Sequence, residues 1–484
     1  MPVLSYGRAF AFHAARDPER PAVIHDGASM SFAALDRSAN RLARAYASLG
    51  VAPGDLVTIA LPNGFEHFTA TLAVWRLGAT PSPVSARLPE RERRAIVALA
   101  EPALVVGAPE GESYPFATLP AGYAPDASCS DAPLPDVVPR HVRCMTSGGS
   151  TGRPKLIVDL VPGEKDPEVA ENMMRPGGTT LVPGPLYHAG PFITAWQQLL
   201  CGGSVVVMTR FDPEEALAAI ERHRVDWVLF VPTMMQRIWR LPEAVRRRYD
   251  VSSLARVMST GAPSPVWMKR AWIEWLGPEK VYEAYGGTER SGGTLISGSE
   301  WLAHPGSVGK PTLGRKIRIQ RPDGSECAPR EVGEVFMMPP GGQGSTYRYI
   351  GAQPVASPDG WETLGDMGYV DEEGWLYLVE RKVDMILVGG ANVYPAEVEA
   401  ALDAHPAVRT SAVIGLPDDD LGNRVHALVD ATAPVGEDEL RAHLAAHLAH
   451  YKIPRSFEFV SEPLRDDAGK LRRAALREAR LPKT

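Results

Sequence analysis

The sequence is poor in cysteine. Its four residues, Cys129, Cys144, Cys201 and Cys327, form no CxxC pair. That excludes a disulfide scaffold and a cysteine zinc site, and it suits a reducing cytoplasm. No apolar run approaches the roughly 20 residues that span a bilayer. The first residues, from Met1 to Arg8, lack a basic-then-apolar secretory pattern. The expectation is a cytoplasmic chain without a membrane span. Positive charge is not in excess either: 51 Lys and Arg stand against 58 Asp and Glu, a net charge of −7. This argues against a general nucleic-acid binder, although a local basic pocket can still hold an anion. The 45 glycines and 44 prolines among 484 residues fall short of low complexity but imply many ordered loops. There is no repeat of 20–50 residues.

What is present is strand–helix alternation. Ala22–His25 is a short apolar run followed by the turn Asp26-Gly27. Ser31 can cap a helix whose apolar positions Leu35, Ala39, Leu42, Tyr46 and Leu49 recur every three to four residues, ending at Gly50. Asp55–Leu61 reads as a buried strand and Glu66–Leu77 as a helix stopped by Gly78. The pattern returns at Gly203–Met208, Asp212–His223 and Val225–Val231. Such alternation predicts mostly parallel sheets covered by helices, an α/β fold. Residues 120–141 read as a surface connection. Beyond about residue 300, Lys316–Gln320, Gly333–Met338 and Gly374–Leu378 predict a β-rich region. The last hundred residues form a small α+β pattern: helices over Pro395–Leu402 and Glu437–His450, strands over Val408–Ile414 and Arg424–Asp430. The expected division is 1–382 and 383–484.

The most informative stretch is Thr146-Ser-Gly-Gly-Ser-Thr-Gly-Arg-Pro-Lys155. Glycines let backbone N–H groups turn toward an anion, hydroxyls add donors and Lys155 adds a point charge, which suits a polyphosphate. A Walker A loop is excluded, because Pro154 precedes Lys155 and Leu156 follows it. Gly148-Gly-Ser150-Thr-Gly152 fits the nucleophile elbow of serine hydrolases, but an elbow runs straight into a helix. Here Arg-Pro-Lys and then Leu-Ile-Val predict a loop leading into a strand.

This loop resembles the signature of the adenylate-forming enzymes, which include acyl-CoA synthetases, peptide-synthetase adenylation domains and luciferases. Further motifs of that superfamily follow in order: Tyr282-Glu-Ala-Tyr-Gly-Gly-Thr-Glu289, Gly306-Ser-Val-Gly-Lys-Pro311, Thr363-Leu-Gly-Asp366, the crossover from Arg381 through Ile386-Leu-Val-Gly-Gly-Ala-Asn-Val-Tyr-Pro395, and Gly469-Lys470. The resemblance implies a large N-terminal domain of helix-covered, mostly parallel sheets plus a β-rich subdomain, with a small mobile α+β C-terminal domain. It implies ATP, Mg²⁺ and CoA as reactants. A carboxylate attacks the α-phosphate to give acyl-AMP and pyrophosphate, and a thiol then takes the acyl group.

Residue by residue, the resemblance implies that Ser147, Ser150, Thr151, Gly152 and Lys155 hold the β- and γ-phosphates. Thr288 bonds the α-phosphate, and Glu289 ligates Mg²⁺, which prefers hard oxygen donors. Gly261-Ala262-Pro263 and Glu283-Ala284-Tyr285 flank the adenine. Asp366 and Arg381 take the ribose, a role that suits a carboxylate with two acceptor oxygens. Lys470 is the catalytic lysine, offsetting charge at the α-phosphate. His188, with Ala189, Gly190, Gly286 and Gly287, lines the acyl pocket. Gly389 and Gly390 face CoA. The hinge between the two poses of the small domain falls at Val383, where a charged residue is usual, or shifts to Asp384. His443, His447 and His450 share a helical face, but with no neighbouring Glu or Cys they read as a solvated face rather than a zinc site.

Leu186-Tyr-His-Ala-Gly-Pro-Phe192 offers no carboxylate for an amino group, and no carrier domain follows Lys470. The expected branch is therefore a free-standing acyl-CoA ligase acting on a small-molecule carboxylic acid. Leu276–Tyr282, His304–Gly306 and Tyr451–Phe459 are similar to bile-acid-CoA ligases, with diterpenoid-acid ligases of antibiotic pathways as another possible relative. Both imply a bulky alicyclic acid, and Gly287, in place of a larger residue, would widen the acyl end. The alternatives are loading of a carrier protein and, from another class, a serine hydrolase at Ser150. The sequence does not fix the oligomeric state; a homodimer is one possibility.

Overall fold

The computed structural model describes residues 2–126, 128–148, 154–262, 264–381, 384–388, 391–418, 421–466 and 469–481, with the side chains of 147, 148, 380, 381 and 392 left out. Ser31 caps the helix Phe32–Ser48 by accepting from Ala34 N, so one orphan donor of the first turn is satisfied. Leu35, Ala39, Leu42 and Tyr46 are buried. The helix Phe65–Arg76 ends at Leu77, and Gly78 follows with φ +71°. Asp212 caps Pro213–His223 through Glu214 N and Glu215 N.

Among the described residues these elements cover two sheets. In the larger, the strands Val281–Gly286, Arg256–Ser259, Trp227–Phe230, Thr179–Val182, Ser204–Val207 and Pro21–His25 run parallel. The expected β-rich region is continuous with them. Gly293–Ser297 and Ser307–Pro311 carry the same sheet on, antiparallel, to Leu376–Arg381, Glu362–Val370, Gly333–Met338 and Lys316–Gln320. The second sheet is parallel: Thr80–Pro83, Leu56–Ile59, Leu104–Ala108 and Ala117–Pro120. The connection after it is pinned to the helix Phe32–Ser48, where Arg44 donates to Ser130 O and Ala132 O, and Asn40 to Asp131 O. No described helix is long and apolar enough to cross a membrane.

The small C-terminal unit packs the helices Pro395–Asp403 and Glu437–Ala445 around the strands Val408–Asp418, Gly422–Ala431 and Ser456–Phe459. The second helix stops at Ala445, not at His450. His447 Nδ1 lies 2.8 Å from His443 O, and His447 N turns to Leu444 O in an i+3 bond, which tightens and ends the last turn. The His face is occupied by backbone contacts: His443 Nε2 lies 2.9 Å from Ala401 O.

Candidate functional site

Glycine-rich residues 148–152 link the strands Cys144–Gly148 and Pro154–Asp159, which pair antiparallel and extend to Tyr347–Ile350. Ser150, Thr151 and Gly152, and the Ser147 side chain, lie outside the described residues. A strand, not a helix, follows the loop, so the nucleophile elbow lacks the helix it requires.

Lys155 projects from this hairpin toward Glu289. The two are 3.5 Å apart, and Tyr349 bridges them: Lys155 Nζ donates to the phenol at 2.8 Å, and the phenol donates to Glu289 Oε1 at 2.7 Å. Burial, and then the Glu289 carboxylate, raise the Tyr349 pKa, so the phenol stays a donor at neutral pH. Glu289 is buried. Glu289 supplies one buried hard-oxygen donor of the kind magnesium takes, with its remaining ligands left to phosphates and water.

Tyr285 and Asp366 come together across 81 residues of sequence. Tyr285 donates to Asp366 Oδ2 at 2.7 Å, and Asp366 lies opposite Arg381 in the strand register. Thr260, next to Gly261, donates to Ala284 O at 2.8 Å, joining the two expected adenine walls. Pro263 and the Arg381 side chain lie outside the described residues. Glu283 departs from its expected nucleotide role at the side chain. Strand alternation turns it away from Ala284, into the protein, where Lys269 Nζ donates to it at 2.5 Å. This leaves only the Glu283 backbone to face the site. The pair ties the helix Val266–Leu276, which follows the expected wall at 261–263, to the strand Val281–Gly286, which carries the other.

Gly287 also departs from expectation. A Cβ there would sit 2.5 Å from Leu364 Cδ1 and 2.7 Å from Glu289 Oε2. The glycine permits close packing beside Glu289 and does not open acyl space. Gly190 does face an apolar wall, its Cβ direction meeting both Leu229 δ-methyls at 3.7 Å. Gly286 instead lies against the Gly292–Gly293 backbone.

His188 precedes the helix Ala189–Leu199, and its Nε2 is buried with no hydrogen-bond partner among the described residues. Burial first, and then the charge of Lys470, push its pKa down to about 3, so the ring is neutral at pH 7. Lys470 therefore lies within electrostatic reach of His188. It sits at the end of a turn closed by an Arg465–Leu471 bridge, with Lys470 N donating to Asp466 Oδ1 at 2.9 Å. This turn rests on the large domain: a Cβ at Gly469 would fall 3.3 Å from Val231 Cγ2 and closer still to Thr233 Oγ1. Arg240 adds a bond to Asp403 O at 2.8 Å, and Glu92 meets Arg472 at 3.6 Å. Asp384 pairs with Arg473 at 3.0 Å, and Arg473 also holds Glu399. Val383, Gly389 and Gly390 lie outside the described residues.

One residue that the sequence reading missed fixes the His188 loop. Asn63 donates to Gly184 O at 3.0 Å and to Met208 O at 2.9 Å, and accepts from Leu186 N at 2.9 Å. Its side chain thus holds the turn that delivers His188.

A helix-covered double sheet thus carries the Lys155–Tyr349–Glu289 cluster and the Tyr285–Asp366 pair, and the turn bearing Lys470 rests on it at Val231 and Thr233. The AMP-binding enzyme family matches residues 10–345, and the AMP-binding enzyme C-terminal domain matches residues 397–470. The chain belongs to the AMP-binding enzyme family. It is 33% identical to a feruloyl-CoA synthase of an Amycolatopsis species over 476 residues, covering 95% of this chain and 96% of that protein. It is 30% identical to the 2-succinylbenzoate–CoA ligase of Bacillus licheniformis, covering 95% and 97%. The solved o-succinylbenzoate CoA synthetase from Bacillus subtilis, in complex with the acyl-adenylate intermediate, superposes with a TM-score of 0.84 at 27% identity over all of both chains.

Proposed function

We propose that this chain is an AMP-forming acid–CoA ligase whose acid is aromatic. The docking of the Lys470 turn on Val231 and Thr233, within electrostatic reach of His188, carries the reading, and the Lys155–Tyr349–Glu289 cluster supports it. It supports a site arranged for acyl-adenylate formation, with the C-terminal lysine brought to the acid end.

Each group has a part that its chemistry suits. Lys155 binds the outer phosphates. Glu289 would hold Mg²⁺, which supplies charge neutralisation on the phosphates when bound. Tyr285 stacks on adenine while its hydroxyl orients Asp366 toward the ribose, with Arg381 alongside. Thr288 bonds the α-phosphate. Lys470 balances charge as the acid carboxylate attacks that phosphorus and pyrophosphate leaves. A neutral His188 adds no second positive charge to repel Lys470, and its buried Nε2 is available to the acid. The CoA thiol then attacks the acyl carbonyl and AMP leaves, which requires Lys470 to withdraw. The Arg240–Asp403 and Glu92–Arg472 contacts break in that movement, with the hinge at Asp384.

Named relatives act on feruloyl and succinylbenzoate groups, which favours an aromatic acid. The bulky alicyclic acid loses the support of a widened pocket at Gly287, which is packed against Leu364 and Glu289. The test is pyrophosphate release across aryl, fatty and alicyclic acids with free CoA. Acyl-CoA from aryl acids supports the reading. Release only with a carrier protein as acceptor, or only with alicyclic acids, contradicts it.

A further inference from the structure

The strand Trp227–Phe230 has two faces. Val228 and Phe230 join the core formed with the helices Pro213–His223, Pro232–Trp239 and Val266–Leu276. Trp227 and Leu229 point the other way, into a separate apolar cluster with Met258, Tyr282, Ala284, Leu295, Ala170 and Met174. Trp227, Met258 and Met174 are buried there. Leu229, Tyr282, Ala284 and Leu295 are only partly buried, although their strands lie inside the large sheet. Partly exposed apolar groups on interior strands mark a slot.

The helix Ala189–Leu199 forms the other wall. Its Phe192, Ala195, Trp196 and Leu199 pack into a different core. This leaves Gly190, Ile193 and Gln197, spaced three and four apart, on a common face. Gly190 faces Leu229 beside His188, at the acid end. Gln197 is two helical turns farther, about 10 Å along the slot.

The far end is polar. Gln197 Nε2 donates to Glu171 Oε2 at 2.7 Å, and Asn172 Nδ2 donates to Gln197 Oε1 at 2.5 Å. The Trp227 indole, on the slot wall, donates to Asn172 O at 2.9 Å. Asn172 and Met173 both hold positive φ, +52° and +58°. That conformation is uncommon for asparagine and costly for methionine, and it persists where surrounding bonds enforce it. These contacts leave the Gln197 amide one N–H and one lone pair.

We infer that Gln197, positioned by Asn172 and Glu171, selects a flat aryl acid with a hydrogen-bonding group, such as a phenolic hydroxyl, about 10 Å from its carboxylate. This rests on the aryl-acid reading above and names the substituent that the same site recognises.

The experiment compares kcat/KM for para-hydroxylated and unsubstituted arylacrylic acids in wild type, Gln197→Leu and Asn172→Gly. The glycine suits the positive φ and guards against misfolding. Wild type should favour the hydroxylated acid by about tenfold, the scale of one hydrogen bond. Gln197→Leu should bring the ratio near one by losing activity on the hydroxylated acid alone, and Asn172→Gly should lower it partway. An unchanged ratio, or an equal loss on both acids, overturns the inference, because a purely structural network would treat them alike. If neither acid yields pyrophosphate in wild type while other acids do, the aryl reading itself fails and the inference falls with it.

Discussion

The Tyr349 hydroxyl donates to Glu289 Oε1 at 2.7 Å while accepting from Lys155 at 2.8 Å. The phenol therefore sets the direction of the carboxylate proposed for Mg²⁺. Tyr349→Phe removes a charge-assisted hydrogen bond and almost no volume. The Mg²⁺ concentration for half-maximal pyrophosphate release should rise about tenfold, the scale of one such bond. The rate from supplied acyl-AMP to acyl-CoA should not change. Superimposable Mg²⁺ titrations would remove Tyr349 from the account.

Lys269 and Glu283 are both buried, with side-chain exposures of 1% and 5%. Burial lowers the Lys269 pKa, partly offset by Glu283. Removing one partner strands the other charge, so Lys269→Met should cost about 3–5 kcal/mol. The double variant Lys269→Met, Glu283→Leu should recover most of that. Denaturant unfolding of the single and double variants measures the coupling, and additive effects would contradict it.

Asn63 binds Gly184 O, Leu186 N and Met208 O. Asn63→Ala should lower kcat/KM for the acid about tenfold or more, since a small displacement of a reacting group is costly. The KM for ATP should hold, because none of the three partners belongs to the nucleotide motifs. A matching rise in the ATP KM would point to general loosening.

His67 lies wholly inside the protein. Neither ring nitrogen has a partner among the described residues, and burial pushes its pKa down to about 4. The unfolded ring takes a proton below about pH 6.5, and the folded ring only near 4. Stability attached to the neutral ring is therefore present above 6.5 and is lost as pH falls toward 4, by roughly 3 kcal/mol. His188 adds a loss of the same sign down to about pH 3. His67→Leu should flatten the unfolding free energy between pH 6.5 and 4. An unaltered pH profile would show that the ring is hydrated.

Local patterns made much of this legible. The short apolar runs Lys316–Gln320 and Gly333–Met338 match those strands residue for residue, because a strand between turn residues is marked by its immediate neighbours. Ser31 and Asp212 declared their helix starts through cap chemistry. Tyr349 was not legible: 194 residues separate it from Lys155, and no local pattern marks a phenol that bridges two distant motifs. Asn63 is likewise remote, 121 residues from Gly184. Glu283 misled because motif membership says nothing about which face of a strand a side chain takes. Gly287 misled because an absent side chain gives close packing as readily as open space.

Lys470 tests the central claim most directly. Pyrophosphate release and conversion of supplied aryl-AMP plus CoA to aryl-CoA should be measured separately in wild type and Lys470→Ala. The account predicts a loss of about a hundredfold or more in pyrophosphate release, on the scale of losing one preorganised electrostatic stabiliser, with the thioester step near wild type. Equal loss in both steps, or no loss in either, would contradict it.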